Sequence, residues 1–156
     1  MAGYDTDLLA AADRLVERRA GQRGKLPAAR TRRSVSTAYY ALFHFVVEEA
    51  ARSLVGTQND LRRRRRVLAH MFNHTGLRTS VDKIRGVTAD PSVAELLRPR
   101  GVAAGSVTCP AFARDLASAF ADAQAKRHDA DYDLNKDISE ADARLLIARL
   151  RRVIAE

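Results

Sequence analysis

The stretch Arg33-Ser-Val-Ser-Thr-Ala-Tyr39-Tyr40-Ala-Leu-Phe43-His44 decides the fold class. Thr37, Tyr40 and His44 are spaced by three and four and share one helical face, while Tyr39, Leu42 and Val46 occupy another. This is a long helix with an apolar set for the core and a polar set for its rim. On that rim Tyr40 and His44 either satisfy each other or a backbone carbonyl, or they line a site. Pro27 suits a first helical position and Gly56 a stop, so the helix spans about 27 to 55.

Outward from there, the same periodicity recurs and sustained period-2 alternation does not. A first helix runs from about Tyr4 to Arg19, with Leu8, Leu9, Ala12, Leu15 and Val16 on one stripe, and stops near Gly21 and Gly24. A third helical region starts near Asp60, breaks around Asn73–Gly76 and continues to Arg85. Asp90-Pro91 marks the cap and first position of a short helix ending before Pro99. Residues 99–108 read as a loop, and Thr108 with Pro110 opens a long helix to about His128. Ser139 with Asp142 resembles a capping box for a last helix that buries Ala143, Leu146, Ile147, Leu150, Val153 and Ile154. The expectation is an all-α bundle of four or five helices with less than about 5% strand.

At 156 residues the chain is one domain long, 1–156. Lys and Arg outnumber Asp and Glu by 27 to 19, and the formal charge of +8 favours a polyanionic partner. Only four of those cations are Lys, and GC-rich codon usage would produce the same Arg excess. The single Cys109 excludes an intramolecular disulfide. Asp5, Asp7 and Asp13 interrupt any signal peptide, and the longest apolar stretch is too short to span a bilayer. A soluble cytoplasmic protein without membrane attachment is expected.

Three groups of residues could carry chemistry. On the fourth long helix Phe112, Leu116, Phe120 and Ala123 form a stripe whose next position is Arg127, followed by His128, Asp131 and Tyr132. Arg127 either pairs with Asp131 at the helix end or reaches for a phosphate in a cleft. The run Arg62, Arg63, Arg64, Arg65, Arg66 is either a solvated face or an electrostatic footprint for nucleic acid. His74-Thr75-Gly76 sits at a helix junction. His70 and His74 lack an acidic residue between them and a third ligand, and there is no phosphate-binding glycine loop, so neither metal nor cofactor is expected.

The Tyr39-Tyr40-Ala-Leu-Phe43-His44 core, the His74-Thr-Gly-Leu step and Arg127-His-Asp-Ala-Asp131-Tyr132, in that order, resemble the HEPN family over roughly residues 30–156. The resemblance implies a helical bundle, commonly a two-fold homodimer. It also implies metal-independent ribonuclease or RNA-binding activity, and pairing with a minimal nucleotidyltransferase as toxin and antitoxin. In nuclease members an Arg holds the scissile phosphate, and a His four to six residues later does acid–base work on the ribose 2′-hydroxyl. Here the residue five after Arg127 is Tyr132, whose ordinary pKa near 10 makes it a poor base at neutral pH.

The reading that follows is a HEPN-like RNA-binding and interaction protein, with Arg62–Arg66, Tyr40 and Asp131 at the nucleic acid. Two alternatives stand beside it. One is a metal-independent endoribonuclease using Arg127 with His44, His74, His128 or Tyr132. The other is a purely structural bundle.

Overall fold

In a computed structural model, which describes residues 3–18, 21, 23–98 and 107–155, the chain is all-α. Seven helices occur among the described residues: α1 Tyr4–Val16, α2 Ala28–Val55, α3 Arg62–Ala69, α4 His74–Asp82, α5 Pro91–Leu97, α6 Ala111–Tyr132 and α7 Glu140–Ala155. A 3-10 turn, Asn59–Leu61, precedes α3. The long helices α1, α2, α6 and α7 form the bundle, with α2 against all three others and α4 against α6. The short α3 and α5 raise the count above the four or five expected.

Local signals account for most of the boundaries. Pro27 stands one residue outside α2, and the chain turns out at Gly56, whose φ of 104° a side-chain-bearing residue rarely adopts. The break in the third region falls at His70–Asn73, and the Asn73 carboxamide caps α4 by accepting from Gly76 N at 2.7 Å. Asp90 caps α5 at Ser92 N. Ser139 and Asp142 form the expected reciprocal box, with Asp142 N donating to Ser139 Oγ at 3.0 Å and Ser139 N to Asp142 Oδ2 at 3.2 Å.

Several boundaries differ from the sequence reading. The break expected around Asn73–Gly76 falls at His70–Asn73, with Gly76 inside α4, and α4 stops at Asp82 rather than Arg85. Helix α1 ends at Val16, and Arg19 lies outside the described residues. Thr108 does not cap α6: it forms an isolated antiparallel bridge with Thr88, flanked by Ala89 N to Val107 O and Cys109 N to Val87 O, and Pro110 is the cap. The rest of the expected loop, 99–106, lies outside the described residues. Helix α6 runs on to Tyr132, which places Arg127 and Asp131 on one helical turn.

The core joins Leu9, Ala12 and Val16 of α1, Val35, Tyr39 and Leu42 of α2, Phe120 of α6 and Leu146, Ile147 and Leu150 of α7. The expected stripe on α6 is only half right. Phe120 and Ala123 are buried, Leu116 is half-buried and Phe112 is exposed. Residues four apart advance 40° round a helix, so Phe112 has rotated about 80° from Phe120 and leaves the interface. Small residues, Ala117 and Ala119, take up the packing instead.

Arginines finish several helix ends. Arg30 donates to Leu15 O and Glu17 O, and Arg144 to Val16 O, so both cover the C-terminus of α1. Arg32 reaches across to the C-terminus of α6, donating to Asp129 O, Ala130 O and Asp133 O through Nη1 and to Leu134 O and Lys136 O through Nη2. The last carbonyls of a helix have no intrahelical donor and carry partial negative charge, so a forked cation is suited to them.

Candidate functional site

Three helices bring the quoted motifs together. Tyr39 and Tyr40 come from the middle of α2, His74 from the first position of α4, and Arg127, Asp131 and Tyr132 from the last turns of α6. The α2–α6 and α4–α6 packing that builds the core therefore also builds the site.

Arg127 is its centre, with a side chain 20% exposed. Its Nη2 donates to the Tyr40 hydroxyl at 3.2 Å, and its Nε lies 2.6 Å from Asp131 Oδ2. The Nε–H axis misses that oxygen, so the contact is an ion pair rather than an aligned hydrogen bond. The guanidinium carbon is 5.8 Å from the centre of the Tyr40 ring and 5.4 Å from that of Tyr132, within cation–π range of both. Asp131 is held from behind by the hydroxyl of Ser36, one turn before Tyr40 on α2.

Beside this group the Tyr39 hydroxyl and His74 Nδ1 are 2.6 Å apart. Burial pushes the Tyr39 phenol well above its ordinary value, so it keeps its proton and donates it. His74 then accepts at Nδ1 and carries its own proton on Nε2. Its backbone carbonyl is fixed by Gln124 Nε2 at 3.0 Å, and its ring packs 4.1 Å from Phe43 and 5.7 Å from Tyr40.

Burial holds His74 below the usual imidazole value of 6.5, helped by the positive charges of Arg127 and His44. The helix N-terminus on which it sits acts the same way. His44 is lowered by burial against the opposing pull of Asp5. The unfolded chain therefore takes up protons that the fold refuses, so the linked stability is complete above about pH 6.5 and is lost as the pH falls below it. The urea midpoint is expected to drop between pH 7 and pH 5.5, and His74→Gln to flatten that drop. Equal midpoints for wild type at the two pH values would contradict a neutral, partly buried His74.

The remaining sequence candidates fall elsewhere. Tyr40 and His44 do not satisfy each other: Tyr40 takes Arg127 as its donor, and His44 packs edge-on against Tyr4 with centroids 4.9 Å apart. His128 is exposed and lies 5.1 Å from the Tyr132 ring, itself 64% exposed. His70 and His74 belong to different elements, separated by the break between α3 and α4.

Arg62, Arg63, Arg64 and Arg66 are exposed, whereas Arg65 is buried and donates through Nη1 to Gly56 O at 2.7 Å and Gln58 O at 2.9 Å. Arg65 is thus a buried clip on the turn after α2, while the other four arginines of the run face solvent. The run adjoins the end of α2: Val55 is fifteen residues beyond Tyr40, about 22 Å along the helix. Sequence reasoning missed Tyr39, Ser36 and Gln124 as site residues. The only signal for Tyr39 was a hydroxyl on an otherwise apolar face.

No protein-family model, curated protein or solved structure matches the chain.

Proposed function

We propose that the protein is a HEPN-like RNA-binding protein whose contact with RNA is made by the Arg127 cluster. The observation that carries this reading is the guanidinium of Arg127 set between the rings of Tyr40 and Tyr132, with Tyr132 open to solvent and His128 against it. A cation beside an exposed ring suits a single strand, which offers phosphates to the one and a base face to the other; the Tyr40 ring, half-buried, backs the guanidinium from the core side. Asp131 counters part of the charge and holds the guanidinium in place, so phosphate affinity at this one site is moderate. The homodimer and the nucleotidyltransferase partner implied by the family resemblance belong to the same proposal.

A second reading, metal-independent cleavage, is favoured by one observation. His74 is an imidazole held neutral beside Arg127, the protonation state a general base needs. Tyr39 occupies Nδ1, so Nε2 would be the working nitrogen. To accept a proton there the ring must shift its own to Nδ1, with Tyr39 turning from donor to acceptor.

Fluorescence anisotropy with a labelled oligouridylate, and gel analysis of the same RNA in EDTA, test both. Arg127→Ala is expected to weaken binding about tenfold, the loss of roughly 1.4 kcal/mol of stacking and phosphate contact. If cleavage occurs, His74→Gln should abolish it without that loss of affinity. Unchanged RNA affinity in Arg127→Ala would remove the site from any nucleic-acid role.

A further inference from the structure

At the far end of α2 from this cluster, α2, α3 and the turn after α3 each expose a large apolar side chain. Leu54 is 71% exposed, Val67 61% and Met71 73%. An open groove there is lined by Val55, Arg63, Arg64, Val67, Leu68 and Met71. Its orientation follows from Arg65. With that side chain anchored on the Gly56 and Gln58 carbonyls, Arg63 and Val67 lie about 200° round the helix and face outward. Arg63 and Val67 then form one row on α3, with Arg64 and Leu68 in the next, and Met71, in the turn that follows α3, closes the end of the groove.

The charge around this apolar strip is one-sided. Residues 51–73 contain six arginines and one acid, Asp60; Arg52 is paired with Glu48 and Glu49 and Arg65 is buried, which leaves four exposed arginines on this face. Arg62, Arg63, Arg64 and Arg66 enter no ion pair among the described residues. We infer that this face docks an acidic amphipathic helix of a partner protein, its apolar side chains in the groove and its carboxylates on Arg63 and Arg64. Contiguous apolar surface rimmed by polar groups marks interaction sites, and helix-in-groove recognition needs such a strip. Met71 adds an adaptable contact.

The chemistry separates this occupant from two others. RNA is a poor match, because the groove floor is aliphatic and thioether, with no ring among its lining residues for a base to stack on. A second copy of the chain is a poor match too, since a two-fold contact here would set one arginine run against the other.

The probe is a labelled 18-residue peptide with leucines at i, i+3, i+4 and i+7 spacing and glutamates on the flanking positions, titrated with the full chain by fluorescence anisotropy. It is expected to bind. Met71→Glu, at an exposed position that leaves the core untouched, should weaken binding at least about tenfold. Arg63→Glu with Arg64→Glu should transfer the preference to a lysine-flanked version of the peptide, while thermal melts of all variants match wild type.

Three results would overturn the inference. One is no binding of the glutamate peptide. Another is equal affinity for Met71→Glu. The third is displacement of the peptide by an oligouridylate or by anionic vesicles whose own affinity falls on Met71→Glu, which would give the face to RNA or to a membrane surface.

Discussion

Phe120→Ala is expected to destabilise the fold by about 3–5 kcal/mol, the range for removing a fully buried phenylalanine and leaving its space unfilled. Phe120 has no exposed surface and meets the Tyr39 ring edge-on at a centroid separation of 5.8 Å. Its neighbours on α6, Ala119 and Ala123, are too small to close the gap. For a chain of this length each kcal/mol lowers the melting temperature by roughly 2–4 °C, so a fall of roughly 6–20 °C is expected by differential scanning calorimetry. The same substitution unseats Tyr39, whose hydroxyl holds His74. A fall in stability should therefore come with a change in the nitrogen shifts of His74 in the surviving folded population. A melting temperature within a degree of wild type would mean that α6 packs in a different rotation.

Arg32→Ala is expected to cost about 2–4 kcal/mol, since charged hydrogen bonds are the strong ones and this guanidinium serves five carbonyls at once. The loss is local in its first effect. Asp129 and Ala130 lie in the last turn of α6, and Asp133, Leu134 and Lys136 in the turn that follows. Amide exchange over residues 129–136 should accelerate well before the bundle melts. Asp131 and Tyr132 sit on that turn, so the restraint on Arg127 loosens with it, and RNA affinity should fall although Arg32 touches no part of the cluster. Arg32→Lys keeps the charge but not the fork and should recover only part of the stability. Unaltered exchange at the end of α6 in Arg32→Ala would show that water serves those carbonyls equally well.

These two substitutions mark the boundary between local and distant information. The helices α2, α5 and α7 were legible because caps and periodicity act between neighbours: Pro27 and Gly56, Asp90 and Pro91, Ser139 and Asp142 lie beside the elements they delimit. The all-α class and the burial of Leu146, Leu150 and Val153 followed from the same short-range rules. The stripe on α6 was legible only near its middle, because spacing by four drifts round the helix.

Spacing could not assign the arginines. In the run Arg62–Arg66 every side chain has the same chemistry, and only the path of the turn after α2 turns Arg65 inward and leaves its neighbours in solvent. Nor could it choose among four histidines as the companion of Arg127. His128 is adjacent in sequence and exposed. His74 is brought in by α4 packing on α6, across 35 residues to Tyr39, while Arg127 meets Tyr40 across 87. Such contacts depend on how each helix is rotated against the next, and that rotation is set by the whole core at once. The amino-acid order therefore specified which segments are helices and which faces are apolar, whereas the packing of α2, α4 and α6 specified which polar groups meet. A few degrees of helix rotation move a side-chain tip by more than a hydrogen bond tolerates, and no local pattern records that angle.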